Sequence, residues 1–126
     1  MKKWLSFLPA ILYDLFIFVL SSKSIQVGAH FDRLDKILHF LEYGILGLLL
    51  AIGFFKVFTF SSFKKSVLTF GSGLILAILD EWHQFFVPLR KSDALDILAD
   101  AAGLAFGIFV FRILSGRRKR ASQKAD

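Results

Sequence analysis

The sequence predicts an all-α integral membrane protein, a bundle of four transmembrane helices with both termini cytoplasmic, and three observations carry that reading. Hydrophobic residues make up 56% of the 126 positions, with sixteen Phe, and the mean hydropathy is +0.62, more apolar surface than a soluble core of this size could hide. The apolar residues fall into four runs, each about long enough to cross the hydrocarbon core of a bilayer. The cations lie unevenly on the two sides that these runs define, and that asymmetry orients the bundle. No linker, repeat or low-complexity segment divides the chain, so residues 1–126 read as one domain. Cysteine is absent, which excludes disulfides and thiolate metal sites.

The first run, residues 4–20, follows Met1-Lys2-Lys3 and is interrupted only by Ser6, Pro9 and Asp14. It gives about 25 Å of helix at 1.5 Å per residue, a short span. Val27-Gly28-Ala29 offers small residues of the kind that signal cleavage uses, but Ala29 lies well beyond Leu20, so a retained span is expected. Ser21 to Leu34 reads as a polar loop. Asp35-Lys36 opens the second span, Ile37 to Phe55, and Lys56 closes it. After a loop from Phe58 to Lys65, the third span runs from Val67 to Val87, where Pro88 stops it. The fourth runs from about Ala94 to Leu114. Behind it the tail 115–126 is basic, and with Arg112 it holds six of the sixteen Lys and Arg, an anchor on anionic lipid rather than a nucleic-acid surface. Trp4 and Trp82 are read as interface anchors.

With the N-terminus inside, the inner face carries Lys2, Lys3, Lys56, Lys64, Lys65 and the six cations from Arg112 to Lys124. The outer face carries Lys23, Arg33, Lys36, Arg90 and Lys91. The positive-inside rule therefore places both termini in the cytoplasm. The start of span two, the end of span three and the start of span four then share the outer side.

Those three places hold nearly all the charge within the spans. A carboxylate at a bilayer centre costs about 2.5–3.5 kcal/mol on insertion scales, so such residues must face protein, water or a cation. Asp35, His39 and Glu42 stand at i, i+4 and i+7 with Tyr43 beside them, one stripe of a helix. Asp80, Glu81 and Gln84 share a side of span three, with His83 toward its edge. Asp93, Asp96 and Asp100 form a second stripe on span four, and the same face continues into Gly103 and Gly107, a small-xxx-small pair suited to close helix contact. Asp14 reads as an isolated polar residue facing the bundle or a neighbour. The outer cluster sets seven acids, Asp35, Glu42, Asp80, Glu81, Asp93, Asp96 and Asp100, against Lys36, Arg90 and Lys91. It must take up protons, form ion pairs or bind a cation. The candidate binding residues are Asp35, Lys36, His39, Glu42, Tyr43, Asp80, Glu81, Gln84, Arg90, Asp96 and Asp100; the candidates for catalysis are His39, Glu42, Asp80 and Glu81.

Three motifs in this order, D-K-x-x-H-F-x-E-Y-G at Asp35–Gly44, D-E-x-H-Q-x-x-x-P-x-R at Asp80–Arg90 and D-x-x-x-D-x-x-G at Asp96–Gly103, resemble the VanZ-like family of small bacterial membrane proteins. The resemblance covers about Asp35 to Gly107. Two positions depart from the family pattern: Pro88-Leu89-Arg90 stands where P-G-R is common, and Asp100 where Asn is frequent. The resemblance implies a multi-pass protein of the bacterial cell membrane, and, through the family's founding member, reduced susceptibility to the glycopeptide teicoplanin. On that reading the outer face acts on or near a lipid-linked cell-wall intermediate or a glycopeptide.

Other readings stay open. His39, Glu42, Asp80 and Glu81, with Asp96 or Asp100, could hold a divalent metal against a phosphorylated lipid whose charge Arg90 neutralises, although no HExxH spacing is present and no metal set is assigned. The same residues could form a purely structural ion-pair network. Proton-coupled transport would ask more than four spans, and so a homodimer. A serine elbow and a phosphate-cradling glycine loop are both missing.

Overall fold

A computed structural model describes residues 2–23 and 31–125 and places them in four α-helices. Each is long and apolar enough to cross a membrane. A single 3-10 turn, Trp4–Phe7, runs into α1, Leu8–Ser21, and α2 (Phe31–Val57), α3 (Ser62–Phe85) and α4 (Ala94–Ala125) follow. Val27-Gly28-Ala29 lies outside the described residues.

The helices outrun the spans expected from hydropathy, and the reasons are local. Pro9 sits in the first turn of α1, where a missing N–H costs no helical bond, so it starts the helix instead of interrupting it. α2 already includes Asp35 and Lys36, because backbone bonding continues after the apolar residues stop. α3 starts five residues before the expected Val67: Ser61 takes the N-cap position and its Oγ accepts the Lys64 N–H at 3.3 Å. It ends at Phe85, two residues short of the expected limit. α4 carries straight on through the basic tail, whose Arg, Lys, Ala and Gln are good helix formers uninterrupted by proline. At 32 residues it is about 48 Å long, more than the roughly 30 Å of hydrocarbon.

α2 is the centre. It packs on α1, α3 and α4, whereas α1 reaches only α2 and α3. α2 and α4 run parallel and approach closely along a glycine seam. A Cβ at Gly103 would collide with the Phe40 carbonyl, one at Gly107 with the Gly44 carbonyl, and one at Gly47 would lie 2.8 Å from the Leu104 carbonyl. The interior is a small apolar cluster of Ala10, Ile17, Tyr43, Leu46, Leu50, Ala77 and Leu104. Large apolar side chains such as Phe16, Leu41, Ile75 and Phe109 point outward, as lipid-facing positions do. At the end where the N-terminal turn meets the last turns of α2, aromatic rings close the bundle. Phe7 meets Phe54 edge to face at 5.1 Å, Trp4 meets Phe58 at 5.6 Å, and Lys64 lies 4.3 Å over the Phe60 ring. The charged stripes gather at the other end.

Candidate functional site

The opposite end of the bundle is built from the last turn of α1, the first turns of α2 and α4, the last turns of α3 and the connection to α4. Period-3.6 spacing turns the polar residues inward from each helix. Asp80, Glu81, Gln84, Asp96, Asp100, His39 and Tyr43 are all buried, none more than 7% exposed.

Between α2 and α4 the contacts are ionic. Lys36 Nζ donates to Asp93 Oδ2 at 3.0 Å and to Asp96 Oδ1 at 3.2 Å. His39 Nδ1–H donates to Asp100 Oδ1 at 2.9 Å, and its Nε2 lies 3.9 Å from Asp35 Oδ2. An asparagine at position 100, the residue frequent in the resembling pattern, would give His39 a neutral partner; Asp100 makes the pair charge-assisted. Asp93 lies before α4, outside the spans. Its Oδ1 accepts the Leu95 N–H at 2.9 Å as an N-cap, and this bond, with the Lys36 ammonium, holds its carboxyl below the usual carboxylate range.

Toward α1, Asp80 meets neutral donors. Ser21 Oγ donates to Asp80 Oδ1 at 2.5 Å and Gln84 Nε2 donates to Asp80 Oδ2 at 2.9 Å. Glu81 Oε1 accepts the Asp93 N–H at 2.6 Å and its main-chain carbonyl accepts from Ser92 Oγ, which ties the connection down onto α3. Among the described residues Glu81 Oε2 and the Tyr43 hydroxyl are buried without a partner. Glu42, half-buried, lies in the electrostatic field of His39, Asp80, Asp100 and Arg90.

The structure thus brings all eleven candidate binding residues to one end of the bundle, in roles the spacing did not specify. Arg90 is the clearest case. Its guanidinium donates to the main-chain carbonyls of Ser21 at 2.8 Å and Leu20 at 3.5 Å, the unsatisfied end of α1. Leu89 beside it adopts φ 66°, the left-handed conformation that glycine takes without strain. His83 is only partly buried, with Nε2 2.9 Å from Ser22 Oγ and its ring centroid 4.3 Å from that of Phe18 at a tilt of 32°.

Two participants escaped the sequence reading. Ser21, expected in the polar loop, is the last residue of α1 and donates to Asp80. Asp14, read as isolated, is half-buried and shares a face of α1 with the buried Ile17 and Ser21. Neither sits in a polar stripe, so periodicity carried no signal for them.

For metal chemistry, the described residues offer Asp35, His39 and Asp96, with one donor atom each within 4.8 Å of one another. This trio shares only His39 and Asp96 with the ligand set weighed from the sequence, and Asp96 already holds the Lys36 ammonium. Lower between α2 and α4, an apolar cleft of about 190 Å³ lined by Phe40, Gly44, Leu48, Phe106, Gly107 and Val110 contains none of the charged residues.

In comparisons with known proteins, a family model described as VanZ/LLP1 matches residues 3–115. No curated protein and no solved structure matches the chain.

Proposed function

Because the chain belongs to the VanZ/LLP1 family, we propose that it is a multi-pass protein of the bacterial cell membrane whose charged end faces outward and acts on a lipid-linked cell-wall precursor or a glycopeptide, altering teicoplanin susceptibility. The observation that carries this reading is the gathering of buried charge from three helices at one end of a membrane bundle, with two polar atoms, Glu81 Oε2 and the Tyr43 hydroxyl, left without a partner. Intramembrane charge of this kind is expensive and favours function over scaffolding. The outward orientation is supported by the cation asymmetry of the sequence.

A second reading, a structural ion-pair network, draws on the Lys36 and His39 pairs and on Arg90 capping α1. The two separate in the variants Glu81→Gln, Asp80→Asn and Arg90→Lys, which keep shape while changing charge, or the guanidinium's fork. The functional reading expects membrane abundance close to wild type and loss of the teicoplanin phenotype in a Gram-positive host. If abundance and phenotype fall together in all three, the network is structural. If the intact protein leaves susceptibility unchanged, the teicoplanin assignment is wrong.

A further inference from the structure

At the charged end the His39 ring is 3% exposed, and its two nitrogens have different surroundings. Nδ1–H donates to Asp100 Oδ1 at 2.9 Å across the α2–α4 interface. That bond fixes the tautomer and leaves the lone pair on Nε2. Among the described residues Nε2 makes no hydrogen bond: Asp35 Oδ2, from four residues earlier on the same helix face, stands 3.9 Å away, too far for one. One donor atom each from Asp35, His39 and Asp96 lie within 4.8 Å of one another, so an imidazole and two carboxylates from two helices converge. Charge at this place is out of balance. Asp35, Asp93, Asp96 and Asp100 are four carboxylates linked through Lys36 and His39, and with His39 neutral the single Lys36 ammonium leaves three negative charges in excess. Asp96 and Asp100 are buried, so water does not screen that excess.

We propose that Asp35, His39 Nε2 and Asp96 bind a divalent first-row transition-metal ion of the zinc type. The inference goes beyond the reading above, which names no metal, and does not depend on it. The donor set selects the ion. Imidazole together with carboxylates suits zinc and its neighbours, whereas calcium takes about six to eight oxygen ligands, which two carboxylates and a ring nitrogen do not supply. Tetrahedral donors about 2.0–2.2 Å from zinc stand roughly 3.3–3.6 Å apart. The 3.9 Å between Nε2 and Asp35 Oδ2 therefore has only a few tenths of an ångström to close, and Asp35, whose side chain is 42% exposed, has room to turn. That exposure also gives an ion its way in. Asp100 completes the arrangement, since a metal-binding imidazole gives its other N–H to a carboxylate, carbonyl or water that orients the ring. Lys36 is the competitor. Its ammonium lies 3.2 Å from Asp96 Oδ1, but a carboxylate has two oxygens to offer, and Asp93 Oδ2 holds the same ammonium at 3.0 Å. An ion that reaches Asp96 leaves Lys36 its bond to Asp93.

The test uses the full chain, purified without a histidine tag, stripped with a chelator and held in phosphatidylcholine nanodiscs. Zinc is titrated against a chromophoric competitor and cobalt(II) is followed by its visible absorption, on wild type, Asp35→Asn and Lys36→Gln, with circular dichroism confirming helix content. Asp35 is half-buried and makes no hydrogen bond among the described residues, so Asp35→Asn leaves the bundle's buried contacts in place. One zinc per chain is expected, with a cobalt spectrum that zinc abolishes and calcium at the same concentration does not. Asp35→Asn should weaken zinc binding on the order of tenfold or more, as loss of a ligand does. Lys36→Gln should tighten it about tenfold, the effect of removing a like charge roughly 5 Å from a divalent ion. Absence of zinc binding, displacement by calcium, unchanged affinity in folded Asp35→Asn, or weaker binding in folded Lys36→Gln would overturn the proposal. Failure of the teicoplanin phenotype with zinc binding intact would count against the wider function alone, and an intact phenotype without zinc binding would count against this inference alone.

Discussion

At the scale of single residues, Leu89 shows how a side chain can hold a conformation that does not suit it. With φ at 66° it pays roughly 1–2 kcal/mol for the left-handed region. Glycine would remove that cost, while giving back about 0.5–1 kcal/mol through the greater freedom of the unfolded chain. Leu89→Gly should therefore leave stability level or raise it by up to about 1 kcal/mol, measured by thermal unfolding in detergent, although the exposed Leu89 makes the reverse seem natural. A clear loss of stability would mean that the leucine side chain is itself part of an anchor. The residues of the site were legible wherever charge stood in apolar sequence, since Asp35, His39, Glu42, Asp80, Glu81, Asp96 and Asp100 all carry a cost that demands burial against something. Their partners were not legible. Nothing in the spacing tells that Arg90 will turn to the α1 carbonyls rather than to a carboxylate, because that choice depends on where α1 ends in space.

At the scale of elements, the seam between α2 and α4 makes the sharpest forecast. Gly103→Ala would push a methyl group into the Phe40 carbonyl, backbone that cannot step aside, so the helices must separate and destabilisation of about 1–3 kcal/mol is expected. Gly71→Ala meets nothing within 4 Å and should gain up to about 1 kcal/mol in helix propensity. Opposite shifts in melting temperature for the same substitution would establish the seam; equal shifts would refute it. The number and order of the helices were readable because each apolar run must satisfy its backbone within itself when it leaves water. Their ends were not, because hydropathy marks where hydrocarbon contact stops, whereas the helix continues wherever residues such as those of the basic tail favour it.

At the scale of the whole molecule, the up-down course of four helices brings both termini to one face, and the cation asymmetry predicts that this face is cytoplasmic. Reporter domains fused after Arg120 should be active in the cytoplasmic compartment only, and external activity would invert the bundle and move the charged end inside. The parallel course of α2 and α4 has one more result. Both helices present their N-termini, and so the positive ends of their macrodipoles, each worth about half an elementary charge, on the face where the acids collect. Asp93 at the N-cap and Asp96 in the first turn of α4 stand where a negative charge meets that field favourably, and Arg90 stands at the negative end of α1. The peptide groups themselves therefore act as counter-charges at this face, and part of its electrostatic balance would survive the loss of any single lysine or histidine.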